Sequence, residues 1–273
     1  MPERSSYQEG VPCWVDLQAT DVDKAKEFYS GLFGWDFEEL DGGDGMKYNL
    51  ARINGKDVAG IGSVPPGGEG RPSVWNTYLA SNNVDDTAAK VTEAGGNNIM
   101  LPVGTGSGSG RMFFATDSTG AMVGFWEAGT RIGAQLVNEP GTLVWNELSS
   151  DDPEKSGVFY TVVVGLGVKK EPAGDLMEYW TFQSGSDPVG GMTRREQSDQ
   201  PNAWVTYFCV DDVNGAVSKA ESLGATITIP AFDVPTVGRM AGIVDPVQGF
   251  FMVMDMNEEG EEGLGGKEEA LEA

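Results

Sequence analysis

Two short segments of the sequence each carry an indole and a carboxylate two residues apart: Trp14 with Asp16, and Trp145 with Glu147. The first segment, WVDLQA, alternates apolar and polar residues, which predicts a half-buried strand whose alternate side chains share one face. A carboxylate beside an apolar wall has a raised pKa and can act as a general base, and an indole can stack on a flat ligand. Asp16 and Glu147 are therefore candidate catalytic residues, and Trp14 and Trp145 are candidate ligand-binding residues.

Each of these residues also has a purely structural explanation. The two carboxylates can pair with an arginine or a backbone amide of the same fold, and the two indoles can simply fill space in the interior. Arg111 and Arg239, which follow glycine-rich connections, could clamp an anionic ligand bidentately or hold a nearby loop or carboxylate. The sequence leaves both explanations open.

The composition excludes several classes of chemistry. The chain has no histidine, so Ser-His-Asp and Cys-His catalysis are excluded and the commonest metal ligand is missing. Its two cysteines, Cys13 and Cys209, lie in apolar strand-like runs and are predicted to be buried thiols, not a disulfide.

The chain is strongly acidic, with a formal net charge of −24 over 273 residues. This charge repels phosphate backbones and anionic membranes, so we expect no nucleic-acid or membrane partner. No apolar segment is long enough to span a membrane and no signal peptide is recognisable, so we expect a cytoplasmic protein. The segment 257–273, rich in Glu and Gly, is predicted to be a disordered tail.

The sequence contains an internal duplication. An offset of 131 places Trp14 on Trp145 and Tyr48 on Tyr179, and offsets of 129 and 128 place Tyr78 on Tyr207 and the Gly-Arg-Met run at 110–112 on that at 238–240. Chance does not sustain such a register over a hundred residues.

Each half is predicted to contain two strand–helix–strand units. Thr20 or Asp21 caps a helix over Val22–Phe33 that Gly34 ends, and Asn54-Gly55 predicts a two-residue hairpin turn. The predicted ranges are an N-terminal extension (1–10), a first domain (11–128, units 11–64 and 73–127), a linker (129–141), a second domain (142–256, units 142–194 and 202–255) and the tail (257–273).

Four such units, with the segments FYSGLFGW and GRM and the linker IGAQLVNEPGTLVWNEL, resemble the vicinal oxygen chelate superfamily of glyoxalases, bleomycin-resistance proteins and extradiol dioxygenases. The resemblance is strongest to its duplicated actinobacterial, glyoxalase-like or hydroxylase-like branch. It implies an α+β fold in which four βαβββ units form two tandem domains with curved, cup-shaped mixed sheets. Each cup is where the family holds its site.

Metal-dependent members of that family take their ligands, usually His and Glu, from the first and last strands of the units. The corresponding positions in this sequence are Trp14, Asn76, Trp145 and Val205 on first strands, and those near Gly60, Gly124, Gly191 and Val253 on last strands. Only Asn76 offers a ligand atom, whereas a catalytic ion needs about three protein ligands. Tyr78 shares a face with Asn76, and Tyr207 shares one with Val205. Asn76, Tyr78 and Tyr207 are therefore further candidate ligand-binding residues.

Three functions follow as hypotheses. The first is a protein without a metal or other cofactor that binds a small aromatic or amphipathic metabolite in its cups. The second is a metal-independent enzyme, an isomerase, cyclase or lyase, that uses Asp16 or Glu147 as general base. The third is a metal-dependent glyoxalase or dioxygenase with a cryptic divalent-metal site. The expected partner is a small molecule, and the chain is expected to be a monomer or a homodimer.

Overall fold

A computed structural model describes residues 3–41, 47–65, 68, 70–172, 178–195 and 200–256. The predicted disordered tail lies outside the described residues. Within them, no helix is long and apolar enough to cross a membrane.

The described residues of the first half form nine strands and two α-helices. In chain order they are β1 (Pro12–Ala19), α1 (Val22–Phe33), β2 (Asp36–Asp41), β3 (Lys47–Ile53), β4 (Lys56–Ser63), β5 (Val74–Ala80), α2 (Val84–Glu93), β6 (Asn97–Asn98), β7 (Val103–Gly104), β8 (Gly110–Thr116) and β9 (Met122–Ala128), with a 3-10 turn at Gly106–Gly108.

The second half repeats this order with eight strands and two helices. They are β10 (Leu143–Ser150), α3 (Pro153–Val164), β11 (Gly167–Lys170), β12 (Tyr179–Ser184), β13 (Asp187–Arg194), β14 (Ala203–Cys209), α4 (Val213–Ser222), β15 (Thr226–Val234), β16 (Gly238–Val244) and β17 (Phe250–Met256). The four βαβββ units expected from the sequence are present.

Local signals place the first unit as predicted. Asp21 caps α1 by accepting a hydrogen bond from the Lys24 amide at 3.0 Å, and Gly34 ends the helix with a left-handed backbone at φ 74°. Asn54 and Gly55 both have positive φ, at 51° and 75°, as a hairpin turn of two residues requires. These predictions are confirmed.

Each half folds into one curved mixed sheet. In the first sheet the order is β2-β3-β4-β1-β5-β9-β8-β6, with β7 beside β8, and in the second it is β11-β12-β13-β10-β14-β17-β16-β15. Strand β1 is parallel to β4 and antiparallel to β5. Strand β10 is likewise parallel to β13 and antiparallel to β14. The duplication therefore extends to strand pairing.

The two halves share a hydrophobic core. Helix α1 packs against residues of β14, β17 and α4, whereas α2 and α3 pack together. The Tyr29 hydroxyl donates to the buried carboxylate of Asp245 at 2.7 Å, and the Tyr160 hydroxyl donates to Asp117 at 3.2 Å. Each half thus buries its tyrosine on a carboxylate of the other.

Candidate functional site

The candidate residues lie on the inner faces of the two sheets. In the first sheet, Asp16 pairs in register with Gly60 and Asn76, and Tyr78 pairs with Trp14 and Gly124. We call this inner surface the N-terminal cup. The predicted side-chain parity agrees with this register, because Trp14, Asp16, Asn76 and Tyr78 all join one hydrogen-bonded network.

The corresponding surface of the second sheet is the C-terminal cup. Here Glu147 pairs with Gly191 and Val205, and Tyr207 pairs with Trp145 and Met252. Because Tyr207 and Met252 repeat the pairing of Tyr78 with Gly124, Met252 is the inward-facing counterpart of Gly124. The predicted position near Val253 is therefore displaced by one residue, which places that side chain on the opposite face.

Asp16 is the centre of the N-terminal cup. One of its oxygens accepts from the amide of Asn76 at 2.9 Å, and the other accepts from the hydroxyls of Tyr78 at 2.8 Å and Tyr48 at 3.1 Å. The Trp14 indole donates in turn to the Tyr48 hydroxyl at 2.8 Å. The partners of Asp16 are thus tyrosine and asparagine side chains, not the arginine or backbone amide that a structural role was expected to supply.

The N-terminal cup is closed. Asp16, Asn76 and Tyr78 are at most 7% exposed, and Trp14 is 8% exposed. A Cβ atom built at Gly60 would overlap the Tyr48 hydroxyl, and one built at Gly124 would overlap the Tyr78 ring. The two tyrosine rings therefore occupy the space above the strand positions where the family resemblance places metal ligands.

The C-terminal cup has the same plan with fewer polar contacts. The Trp145 indole donates to the Tyr179 hydroxyl at 3.0 Å, and the Tyr207 hydroxyl donates to Glu147 at 3.2 Å. Val205 replaces Asn76, so Glu147 lacks the amide donor that Asp16 has. Trp145 and Glu147 are half-buried, whereas Trp14 and Asp16 are buried; Tyr48 and Tyr179 are both half-buried. This cup is the more accessible of the two.

Burial governs the protonation of both networks. Desolvation raises the pKa of Asp16 and of Glu147, and hydrogen bonds from their tyrosines, and from Asn76 to Asp16, oppose that rise. Desolvation and the adjacent carboxylate also raise the pKa of Tyr179 and Tyr207 well above the usual value. The tyrosines therefore remain hydrogen-bond donors to the two carboxylates.

The possible metal-ligand atoms in the two cups are too few for a catalytic divalent ion of the family type. In the N-terminal cup they amount to the Asp16 carboxylate and the Asn76 amide oxygen, which is buried and finds no hydrogen-bond partner among the described residues. In the C-terminal cup they amount to Glu147. No group of three or more His, Cys, Asp or Glu side chains suited to a metal occurs in the described part of the chain.

Arg111 and Arg239 are not brought into the cups. Both terminal nitrogens of Arg111 donate to Asp85 at the start of α2, at 2.6 and 3.0 Å. Arg239 donates to Asp233 at 2.8 Å and to Asn214 of α4 at 3.3 Å. Both guanidinium groups therefore lie on the helix side of their sheets. The two cysteines, in contrast, are buried without a disulfide as predicted.

Tyr48 and Tyr179 are the site residues that the sequence interpretation missed. Both lie on the third strand of their unit, and each ring reaches over the neighbouring strand to the indole and the carboxylate. The signal was present, because the 131-residue offset places these two tyrosines on each other. Repeated tyrosines on a strand next to a repeated Trp-x-carboxylate segment could have identified them.

Comparisons with known proteins identify the family and the fold. The family model described as the Glyoxalase/Bleomycin resistance protein/Dioxygenase superfamily matches residues 13–125. The chain is 44% identical to "Putative glyoxylase CFP32" of Mycobacterium bovis, covering 93% of this chain and 98% of that one. It is 30% identical to "Anthracycline biosynthesis protein DnrV" of Streptomyces peucetius, covering 92% and 95%. A Mn(II)-bound glyoxalase from Novosphingobium aromaticivorans has a similar fold, with a TM-score of 0.64, 16% identity and coverage of 91% and 82%.

Proposed function

The chain belongs to the glyoxalase, bleomycin-resistance protein and dioxygenase superfamily, and we propose that within it this protein uses the C-terminal cup to bind a small aromatic or amphipathic metabolite without a metal ion. The observation that carries the proposal is the difference between the cups. Trp145 and Glu147 are half-buried, whereas their counterparts Trp14 and Asp16 are sealed beneath two tyrosines and an asparagine.

The walls of the C-terminal cup define the chemistry of the ligand. Trp145 offers an indole, and Val205 and Met252 offer apolar surface, which suit a flat or aliphatic body. Glu147 accepts a hydrogen bond from the Tyr207 hydroxyl and lies beside the Tyr179 hydroxyl. Its remaining acceptor capacity favours a ligand that brings a phenol, enol or amine donor. The relatives' names, a glyoxylase and an anthracycline biosynthesis protein, agree with a small organic ligand.

Calorimetric titration with a panel of phenols, quinones, amphipathic amines and an anthracycline tests the proposal. We expect saturable binding of at least one compound to the wild type, with quenching of tryptophan fluorescence. Trp145→Phe and Glu147→Gln are expected to weaken that binding at least fivefold. The matched variant Trp14→Phe, in the closed cup, is expected to retain it. Absence of binding by every compound, or an equal loss in Trp14→Phe, contradicts the proposal.

A metal-independent enzyme is the second candidate, and the half-buried Glu147 with its raised pKa favours it. In that function Glu147 removes a proton from carbon or oxygen of a bound carbonyl compound, and the hydroxyls of Tyr179 and Tyr207 stabilise the resulting oxyanion. Asp16, with three donors and no exposed edge, is less suited to this role.

Turnover measurements separate this candidate from simple binding. Activity that persists in a chelator and falls at least a hundredfold in Glu147→Gln, but not in Asp16→Asn, is the expected result for an enzyme of this type. Unchanged turnover in Glu147→Gln excludes Glu147 as the base. Stoichiometric metal in the purified protein, measured by elemental analysis, would refute the metal-free part of both proposals.

A further inference from the structure

A polar cavity of about 440 Å³ lies where the chain leaves the first domain, and its lining shares no residue with the hydrogen-bonded networks of the two cups. Its walls are the β3–β4 hairpin, which provides Arg52 and Asp57, the glycine-rich loop before β8, which provides Ser109, and the linker, which provides Thr130 and Arg131. This volume is within the range of small-molecule sites. Residues from three separate parts of the chain therefore line one solvent-open cleft.

The charges of the cavity form a fixed arrangement. Asp57 is 4% exposed, and its two carboxylate oxygens accept separately from Arg52 Nε at 2.7 Å and from a terminal nitrogen of Arg131 at 2.6 Å. The side chains of Arg52 and Arg131 are 29% and 28% exposed. Arg52 also pairs with Glu38, which lies outside the cavity wall. The buried carboxylate thus orients two guanidinium groups. Arg52 uses a second nitrogen on Glu38, whereas Asp57 is the only carboxylate that Arg131 contacts among the described residues.

The charged lining residues, Arg52, Arg131 and Asp57, carry a net charge of +1, and Glu38 balances it from outside the lining through its pair with Arg52. Two guanidinium groups face one carboxylate, and the carboxylate has no oxygen left over. A guanidinium has five N–H donors in a planar fork that matches carboxylate and phosphate oxygens, and Asp57 uses one donor from each. The unused donors are the feature that an anionic ligand would recognise.

The duplication shows that the hairpin fold does not require these charges. Arg52 and Asp57 pair at a bulge of β3 and β4, and the same bulge in the second half pairs Gln183 with Pro188. Arg131 belongs to the linker, which occurs once in the chain. The charged group is thus confined to the one hairpin that the linker crosses.

Holding the linker in place does not account for Arg131 either. The Gln135 amide donates to the Asp57 carbonyl at 2.7 Å, and its side-chain oxygen accepts from the Asp57 amide at 3.0 Å. The Ala134 amide also donates to the Cys13 carbonyl at 2.8 Å. These three bonds already fix the linker against β1 and β4.

We propose that this cavity is a second binding site, distinct from the C-terminal cup, for a small metabolite that bears a carboxylate or phosphate group held by Arg131 and Arg52. Bidentate binding is possible because Asp57 occupies only one terminal nitrogen of Arg131. The site is formed once, by the first domain together with the linker, so we expect one anion for each chain.

Isothermal titration of the full chain at constant ionic strength tests the proposal, with inorganic phosphate and succinate as separate probes. We expect saturable binding of at least one probe at a stoichiometry of one, and the two arms identify the preferred group. Arg131→Gln is expected to weaken binding at least tenfold. Arg71→Gln, which removes an exposed arginine outside the cavity, is the matched control and is expected to leave binding unchanged.

Arg131→Lys keeps the charge, preserves the pair with Asp57 and removes the planar fork, so it serves if Arg131→Gln does not fold. We expect it to weaken binding at least threefold, because a lysine cannot bind two oxygens of one group in parallel. Absence of saturable binding by either probe overturns the proposal, as does an equal loss in Arg71→Gln or full affinity in Arg131→Lys. Because the C-terminal cup takes no part, Glu147→Gln is expected to bind the same probe normally.

Discussion

Removing one hydroxyl from the shared core tests how the two halves are held together. Tyr29→Phe deletes the group that donates to Asp245 at 2.7 Å and accepts from the Trp75 indole at 2.9 Å. All three residues are at most 4% exposed, so water cannot replace the lost partner. Each buried polar group left without a partner costs about 1–3 kcal/mol. We expect Tyr29→Phe to lower the free energy of unfolding by about 2–4 kcal/mol.

The duplication provides a matched control in Tyr160→Phe. Tyr160 accepts from the Trp204 indole at 2.8 Å but donates to Asp117 over a longer distance, 3.2 Å. The Asp117 carboxylate also keeps three other donors, two from Thr119 and one from Ala121, against two for Asp245. The weaker bond and the better-supported carboxylate predict a smaller loss, about 1–2 kcal/mol.

The effect of pH follows from the carboxylate. Burial raises the pKa of Asp245, and the Tyr29 hydroxyl opposes that rise. A raised pKa in the folded state stabilises the fold at low pH, and this contribution is lost as the pH rises through that pKa. Without Tyr29 the pKa rises further, so the loss caused by Tyr29→Phe should be larger at pH 8 than at pH 5.

Urea unfolding of the wild type and both variants, followed by tryptophan fluorescence and circular dichroism at the two pH values, measures these differences. The reasoning fails if Tyr160→Phe is the more damaging variant. It also fails if Tyr29→Phe costs less than about 0.5 kcal/mol, within the usual range for a surface substitution.

Three further predictions concern the cups and the strands that carry them. Gly60→Ala should lower the free energy of unfolding by about 1–3 kcal/mol, because the added Cβ overlaps the Tyr48 hydroxyl. The control Gly62→Ala, whose Cβ would lie 3.3 Å from the Tyr48 ring, should lower it by less than about 1 kcal/mol in the same urea assay. Thr206→Val should leave the free energy of unfolding unchanged or raise it by up to about 1 kcal/mol, since the buried Thr206 hydroxyl finds no partner among the described residues. Thr77→Val, at the equivalent position, should lower it by about 1 kcal/mol, since the Thr77 hydroxyl donates to Asn146 at 2.8 Å. Burial raises the pKa of Glu147, so the contribution of this carboxyl group to stability is present at low pH and is lost as the pH rises through the folded-state pKa. Glu147→Gln should therefore gain stability relative to the wild type between pH 5 and pH 8. A constant difference in the free energy of unfolding across that range would contradict the raised pKa.

The sequence was sufficient to predict the elements because their signals are local. Asp21 and Gly34 bound a helix whose apolar residues recur at helical spacing, and Asn54-Gly55 permits the positive φ values of a tight turn. The duplication was equally visible, since it depends on identities between equivalent residues. Strand parity then placed Trp14 and Asp16 on one face without any knowledge of the partner strands.

Contacts between distant strands were not predictable in the same way. Tyr48 meets Trp14 and Asp16 because β3 lies next to β4 and its ring crosses Gly60, a contact that requires the register of three strands. The Arg52, Asp57 and Arg131 group depends on the path of the linker across a hairpin 74 residues earlier in the chain. The internal repeat marks Tyr48 and Tyr179 as equivalent but does not show which strands they contact, and the group around the linker occurs once and has no repeat to mark it.

The two cups show how duplication can separate structure from function within one chain. One substitution, Asn76 in the first half against Val205 in the second, decides whether the central carboxylate has an amide as its third donor. With the amide, Asp16 is saturated and buried, and the cup is part of the core. Without it, Glu147 keeps unsatisfied acceptor capacity beside a half-buried indole. If this reasoning is correct, Val205→Asn should give Glu147 a third donor, lower its pKa and weaken ligand binding in the C-terminal cup, whereas Asn76→Val should only destabilise the first domain.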